Sequence, residues 1–200
     1  MSLTQKIRSL ALEAGFDLFG VTSADPFEEE RERLSSWLSR GFAGEMAYLH
    51  KNADKRIDPK KILPSAKSIL CLGISYCHPY PHSPLLCKEG QGEGVKGTVA
   101  RYAWGKDYHK VLKKKIGRLK EQIMELAGHG TELKDYTDTG PLLERQAAAR
   151  AGLGFIGKNT LLLNPKYGSY FFLSEILTNL DLETGVPGKH ERPGNTSCGS

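Results

Sequence analysis

The stretch GLGFIGKN, residues 152–159, decides what kind of fold this chain can have, because two phosphate-binding patterns overlap in it. Gly152, Gly154 and Gly157 satisfy the G-x-G-x-x-G spacing of a dinucleotide loop, and Gly152, Gly157 and Lys158 satisfy G-x-x-x-x-G-K, the start of a P-loop. A dinucleotide loop leaves a strand and opens a helix, whose N-terminus holds the pyrophosphate. Here the order is reversed. The helical segment PLLERQAAARA comes first, Gly152 stands where a helix C-terminal glycine belongs, and the apolar NTLLLN that follows reads as a strand. Glu175 and Asp181 lie at the distance expected of a ribose-binding acid, but the topology removes that meaning. The P-loop reading fails because Asn159 occupies the position of the Mg²⁺-binding hydroxyl and Thr160 comes one residue late. Two accounts of the glycines remain open: a helix end followed by a packed turn, or a backbone platform under a large ligand with Lys158 and Asn159 as its polar contacts.

Outward from this point, strand and helix signals alternate without regular βαβ spacing. The fold class expected is therefore α+β, a mixed or antiparallel sheet flanked by helices, rather than a doubly wound sheet. A helix is expected over 3–14, stopped by Gly15, then a short strand in DLFGVTSA. A charged helix follows over 27–40, a shorter one near 45–51, and then the turn-rich segment NADKRIDPKKILPSAK. SILCLGISYC (68–77) is the clearest strand, with Cys71 and Cys77 on one face as small buried hydrophobes. The Pro- and Gly-rich HPYPHSPLLCKEGQGEGVKG reads as a long loop. A long helix over 107–126 buries Leu112, Ile116, Leu119, Ile123 and Leu126. ELKDYTDT reads as a strand entering a loop, the next helix has Pro141 at its first position, and SYFFLSEILTNL is a last strand.

Charged residues at 26% and apolar ones at 39% fit an ordinary globular protein. No apolar run approaches the ~20 residues that span a bilayer, and no signal peptide is read at the N-terminus, so a cytoplasmic location with no membrane partner is expected. Four cysteines are too few for a disulfide scaffold in 200 residues. The net charge of +5 is uneven: residues 101–120 carry eight Lys/Arg against Asp107 alone, which leaves the remainder slightly acidic. Lys110, Lys113, Lys114, Lys115 and Arg118 are either phosphate contacts for a nucleic acid or the solvated face of a helix. Tyr102, Trp104, Tyr108 and His109, interleaved with Arg101 and Lys106, suit stacking on an unpaired base or core packing. No acid or second histidine has a spacing that gives His109 a metal role. On the residues alone Asp138 reads as a helix cap; burial would raise its pKa and a helix N-terminus would lower it.

Four blocks in order, RIDPKKILPSAKSIL (56–70), ARYAWGKDYHKVL (100–112), TDTGPLLERQAAARAGLGFIGKNT (137–160) and YGSYFFLSEILTNL (167–180), resemble the epoxyqueuosine reductase family over nearly the whole chain. The third is the most specific, since its D-T-G and G-K-N parts keep a fixed separation. The resemblance implies a domain related to reductive dehalogenases and flavin nitroreductases that binds cobalamin. It also implies removal of the epoxide oxygen of epoxyqueuosine at the wobble position of tRNA, with electrons from two 4Fe-4S clusters. By resemblance Asp138 is the proton donor, and Arg56, Ala100, Asp138, Lys158, Asn159, Thr160 and Ser169 lie at the cofactor. Some relatives carry cysteine at the Ala100 position, so a thiol there is not required. Residues 1–190 are expected to form the cobalamin domain and 191–200 the start of a ferredoxin-like domain, with Cys198 as its first cluster thiolate. One thiolate cannot hold a cluster, and binding without turnover is expected of this chain alone. The implied partners are the tRNA anticodon stem-loop and a cellular electron donor, with the protein a monomer. A corrinoid-dependent reductase of a small molecule, dehalogenase-like, is the alternative, and a non-enzymatic corrinoid- or RNA-binding module is a further one.

Overall fold

A computed structural model describes residues 1–77 and 99–185. The segment SILCLGIS forms strand β2 (Ser68–Ser75), whose first six residues are all buried. A run without polar alternation means a strand covered on both faces, and that is where β2 lies. It pairs antiparallel with β1 (Leu18–Ser23) on one side and with β6 (Phe171–Thr178) on the other; β3 (Leu133–Tyr136) adds to β6. The strand order is β1-β2-β6-β3. Among the described residues this antiparallel sheet with helices on both faces bears out the α+β expectation.

One face of the sheet presents Leu70, Leu72 and Ile176 to helices α1 (Leu3–Glu13) and α5 (Tyr108–Ala127). From α5 it receives Leu112, Ile116, Leu119 and Ile123, each at most 1% exposed. Leu126, expected in that stripe, is 37% exposed. Ser2 and Gln5 cap α1 reciprocally, and Gly15 at φ 83° ends it. The Lys115 ammonium then donates to the Ala14 carbonyl at 2.6 Å. Lys115 is therefore a tie between helices rather than part of the solvated basic face.

The other face carries Ile69, Cys71 and Leu177 and is covered by α6 (Glu144–Arg150). This helix starts three residues later than Pro141 suggests. Leu142 is drawn into the core at 2% exposure, which bends residues 140–143 away from helical geometry. At its end, Gly152 at φ 83° donates to Ala149 O and Leu153 donates to Ala148 O, the paired bonds of a glycine helix terminus. The chain then forms a hairpin from β4 (Phe155–Ile156) and β5 (Leu162–Leu163), of which only the second half is visible in the sequence pattern.

Helix α2 (Glu28–Ser39) buries no residue; the short helix expected near 45–51 is α3 (Ala47–Lys51), and the turn-rich segment after it contains α4 (Ala53–Ile57) and a 3₁₀ turn at Pro59–Lys61. Cys71 is buried as expected, whereas Cys77 lies beyond the end of β2 and is exposed. The long loop and Cys198 fall outside the described residues. No helix among the described residues is long and apolar enough to cross a membrane.

Candidate functional site

Asp138 sits on the loop that leaves β3, six residues before α6, and is not its cap. Its φ is 60°, a left-handed conformation that costs a non-glycine residue roughly 1 kcal/mol or more. The loop is pinned from below, where the Thr137 and Ser174 hydroxyls share a 2.9 Å hydrogen bond. It is pinned from the side by the Tyr108 hydroxyl, which donates to Asp138 Oδ2 at 2.7 Å. The Tyr108 ring stacks on Phe172 of β6 with centroids 4.1 Å apart, and His109 stacks on Tyr108 at 4.0 Å. Desolvation first, then the bond to Asp138, pushes the Tyr108 phenol well up, so it stays a donor. The Asp107 side chain caps α5 through the His109 amide and lies 3.2 Å from His109 Nδ1; His109 Nε2 lies 3.9 Å from Asp138 Oδ2. The fold thus gives His109 the acidic neighbours that sequence spacing did not show.

The Asp138 side chain is 63% exposed, so it is not the buried acid that a proton donor suggests. The buried acids are its neighbours. A cavity of about 190 Å³ is lined by Tyr108, Asp138, Glu144, Arg145, Ser169 and Phe172, among others. Glu144 Oε1 is buried without a hydrogen-bond partner. Burial, and next the charge of Asp138, raise its pKa to about 7, against the opposing pull of Arg56, the Asp138 backbone and Arg145. Glu175 stands in the middle of β6, opposite Cys71 on one side and Tyr136 on the other, at 0% exposure. Neither of its oxygens has a partner, and burial, then the neighbouring Glu144 and Asp138, push its carboxyl well up. A carboxyl so placed is neutral in the fold.

The expected site residues divide into groups. Arg56, on α4, acts on Glu144 and has a buried Nε–H without an acceptor; Ser169 lines the cavity. Lys158, Asn159 and Thr160 are exposed in the turn of the β4–β5 hairpin, where Asn159 Oδ1 accepts from the Leu161 amide at 3.2 Å. Thr160, at φ 65°, is tied to the cavity through its carbonyl, which accepts from Arg145. Ala100 is exposed at the head of the 3₁₀ turn Arg101–Ala103 and is not among the cavity's lining residues. Close by, the Arg101 guanidinium lies over the Tyr170 ring at 5.1 Å.

The glycines of 152–157 are accounted for within the hairpin. A Cβ on Gly154 would lie 2.2 Å from Leu163 O, and one on Gly157 would lie 2.7 Å from Leu163 Cδ1. Among the described residues, Tyr108 as a partner of Asp138, Glu144, Arg145 and Glu175 are the site groups that sequence reading did not assign. The one available signal was Glu175, a lone carboxylate in the apolar run FFLSEILT. Away from the cavity, Lys106, Lys110, Lys114 and Arg118 line an open groove of about 670 Å³ beside the end of α1.

A family model described as epoxyqueuosine reductase QueG, DUF1730, matches residues 56–139, which include Arg56, Tyr108 and Asp138. An epoxyqueuosine reductase of Leadbetterella byssophila is 40% identical over 196 residues, covering 98% of this chain and 61% of that protein. Over nearly its whole length the chain is similar to epoxyqueuosine reductases. It superposes on the structure of epoxyqueuosine reductase from Streptococcus thermophilus with a TM-score of 0.81 at 37% identity, covering 92% of this chain and 48% of that one. A second member of the epoxyqueuosine reductase family, solved with an epoxyqueuosine-modified tRNA stem loop, gives 0.75 at 33% identity, over 92% of this chain and 48% of that one. A catabolic reductive dehalogenase superposes at 0.51 with 15% identity, a likeness of fold alone. The chain spans about 60% of the length of the first curated relatives it matches and about half of the solved ones.

Proposed function

We propose that this chain is the cofactor- and substrate-binding part of a reductase that takes the epoxide oxygen out of epoxyqueuosine in tRNA, with a corrinoid as its cofactor. The observation that carries the reading is Asp138, held by Tyr108 at a cavity that Glu144 also lines, with the fully buried Glu175 close by and both glutamate carboxyls pushed up by burial. A cavity of about 190 Å³ is smaller than the ~300 Å³ of an ordinary ligand pocket. It would take the reacting end of a ligand, and a corrin-sized group would have to be held outside it. The donors there fit such a group: the unpaired Arg56 Nε–H, Ser169, and the exposed Lys158, Asn159 and Thr160 answer the amide side chains of a corrin ring. Ala100 belongs to the same proposed set by position, as does the division into a cofactor domain, 1–190, and a cluster-bearing segment from 191 with Cys198 as a thiolate ligand.

A reduced corrinoid, when bound, supplies the electron pair. The chain's own residues do the rest. Tyr108 donates to Oδ2 and so leaves Oδ1 of Asp138 to carry the proton that meets the departing oxygen. The basic groove on α5, through Lys106, Lys110, Lys114 and Arg118, receives tRNA phosphates, and Arg101 with Tyr170 and the exposed Tyr102 faces the unpaired bases.

The test is spectroscopic. The purified chain is mixed with cobalamin, free cofactor is removed, and the visible spectrum is recorded. A retained spectrum with the cobalt freed from its benzimidazole base is expected; a protein that emerges colourless ends the corrinoid reading.

A further inference from the structure

Removing an epoxide oxygen to leave an alkene consumes two electrons and two protons, because both C–O bonds break and the oxygen departs as water. Asp138 can hold one of those protons. The second must come from another group beside Asp138; His109 Nε2 lies 3.9 Å from it on the exposed side, and the wall of the cavity offers a carboxyl. Glu144 lines the same cavity as Asp138 and has a buried oxygen with no partner. Behind it Glu175 is completely buried, and among the described residues neither of its oxygens has a hydrogen-bond partner.

Resting on the reductase reading, we infer that Glu144 holds the second proton of each turnover and returns it to Asp138 inside the cavity, with the neutral Glu175 behind it keeping that proton in place. Glu144 acts through Asp138 and is in that sense a positioning residue. The groups that face it are Asp138 on the β3–α6 loop, Arg56 on α4, Arg145 on α6, Tyr108 on α5 and Glu175 on β6. Glu175 in turn faces Cys71 of β2, whose thiol burial pushes well up, and Tyr136 of β3. The two arginines keep Glu144 within reach of neutral pH, where an acid that must both give and regain a proton works best. Among the described residues the titratable groups that face Glu175 are Glu144, Asp138, Cys71 and Tyr136, and burial pushes its carboxyl well up. The electron pair comes from a reduced corrinoid or another low-potential two-electron donor; Asp138 gives its proton to the departing oxygen, Glu144 restores Asp138, Asp138 passes that second proton on to complete water, and solvent reprotonates both carboxylates before the next turnover.

The experiment follows single turnover of an epoxyqueuosine-bearing RNA stem-loop by the chain loaded with cobalamin and kept reduced with titanium(III) citrate. The wild-type rate is expected to fall as pH rises through about 7, where Glu144 loses its proton. Glu144→Gln is expected to be ~10-fold slower below that pH and to lose the descending limb, while Glu144→Asp keeps a displaced limb. Infrared difference spectra of the unloaded chain supply a reading without turnover: a protonated carboxyl band that titrates near neutrality in wild type and is absent in Glu144→Gln. If the wild-type chain turns over and Glu144→Gln keeps both its rate and its limb, this inference alone is overturned, and a missing titrating band overturns it equally. If the wild-type chain retains no corrinoid and shows no turnover, the reductase reading falls first and this inference goes with it.

Discussion

Two non-glycine residues among those described hold a left-handed backbone, Asp138 at φ 60° and Thr160 at φ 65°, and they are strained for different reasons. Thr160 closes a four-residue turn: its amide donates to Gly157 O at 3.0 Å and its carbonyl accepts from Arg145. The conformation is what a tight hairpin needs, and its side chain is exposed with no buried group waiting for it. Asp138 closes no hairpin. Its loop is held by contacts from β6 and α5, and two carboxyls with unpartnered buried oxygens lie nearby. An unusual φ therefore does not mark a site by itself. The mark is strain together with polar groups that the local fold leaves unsatisfied.

The largest effect expected from this contrast is on turnover. Asp138→Asn keeps the shape and the oxygen that accepts from Tyr108 but cannot supply a proton. It should lower the single-turnover rate by ~10²–10⁴-fold, the range of general acid catalysis, with corrinoid retention unchanged. Turnover within a few-fold of wild type would place the proton donor elsewhere and reduce Asp138 to a second Thr160.

The next effect is on stability and comes from the hairpin side. A Cβ on Gly154 meets the backbone of Leu163, its O at 2.2 Å and its C at 2.9 Å, and backbone yields little. Gly154→Ala should cost about 3 kcal/mol, read as a lower urea midpoint at unchanged m-value. A loss below about 1 kcal/mol would mean that the glycine serves a ligand rather than the hairpin. The reading of GLGFIGKN turned on this point. Topology excluded the dinucleotide loop and placed the helix end at Gly152, because a helix before the glycines leaves no N-terminus for an anion, and Asn159 at the hydroxyl position excluded the P-loop. The hairpin itself was not legible. Phe155–Ile156 is two residues long, too short to show a period, and the close approach of Leu163 is a fact of tertiary packing. The sheet and the α5 stripe were legible because burial on a whole face forces a repeat. The start of α6 was not, since Pro141 suits a helix start and a bend equally well, and Leu142 burial chose the bend. Glu144 and Glu175 were passed over because a glutamate in sequence reads as solvated surface. Only the sheet register, which sets Glu175 against Cys71 and Tyr136 in a covered layer, shows that it is buried.

The smallest effect tests the comparison where it is finest. Thr160→Gly relieves the left-handed strain at a site whose bonds are all backbone, and it also frees the unfolded chain. The relief of about 1–2 kcal/mol and the entropy loss of about 0.5–1 kcal/mol oppose each other, so a net gain of about 0–1.5 kcal/mol is expected in thermal or urea unfolding. Asp138→Gly makes the same backbone change but also removes the acceptor of the Tyr108 hydroxyl and one end of the His109 contact. It should lose stability on balance, since an abandoned partly buried donor costs about 1–3 kcal/mol. Opposite signs at two residues of nearly equal φ would show that Asp138 is held in place by what surrounds it. A gain of the same size at both would show that its geometry is only that of a turn.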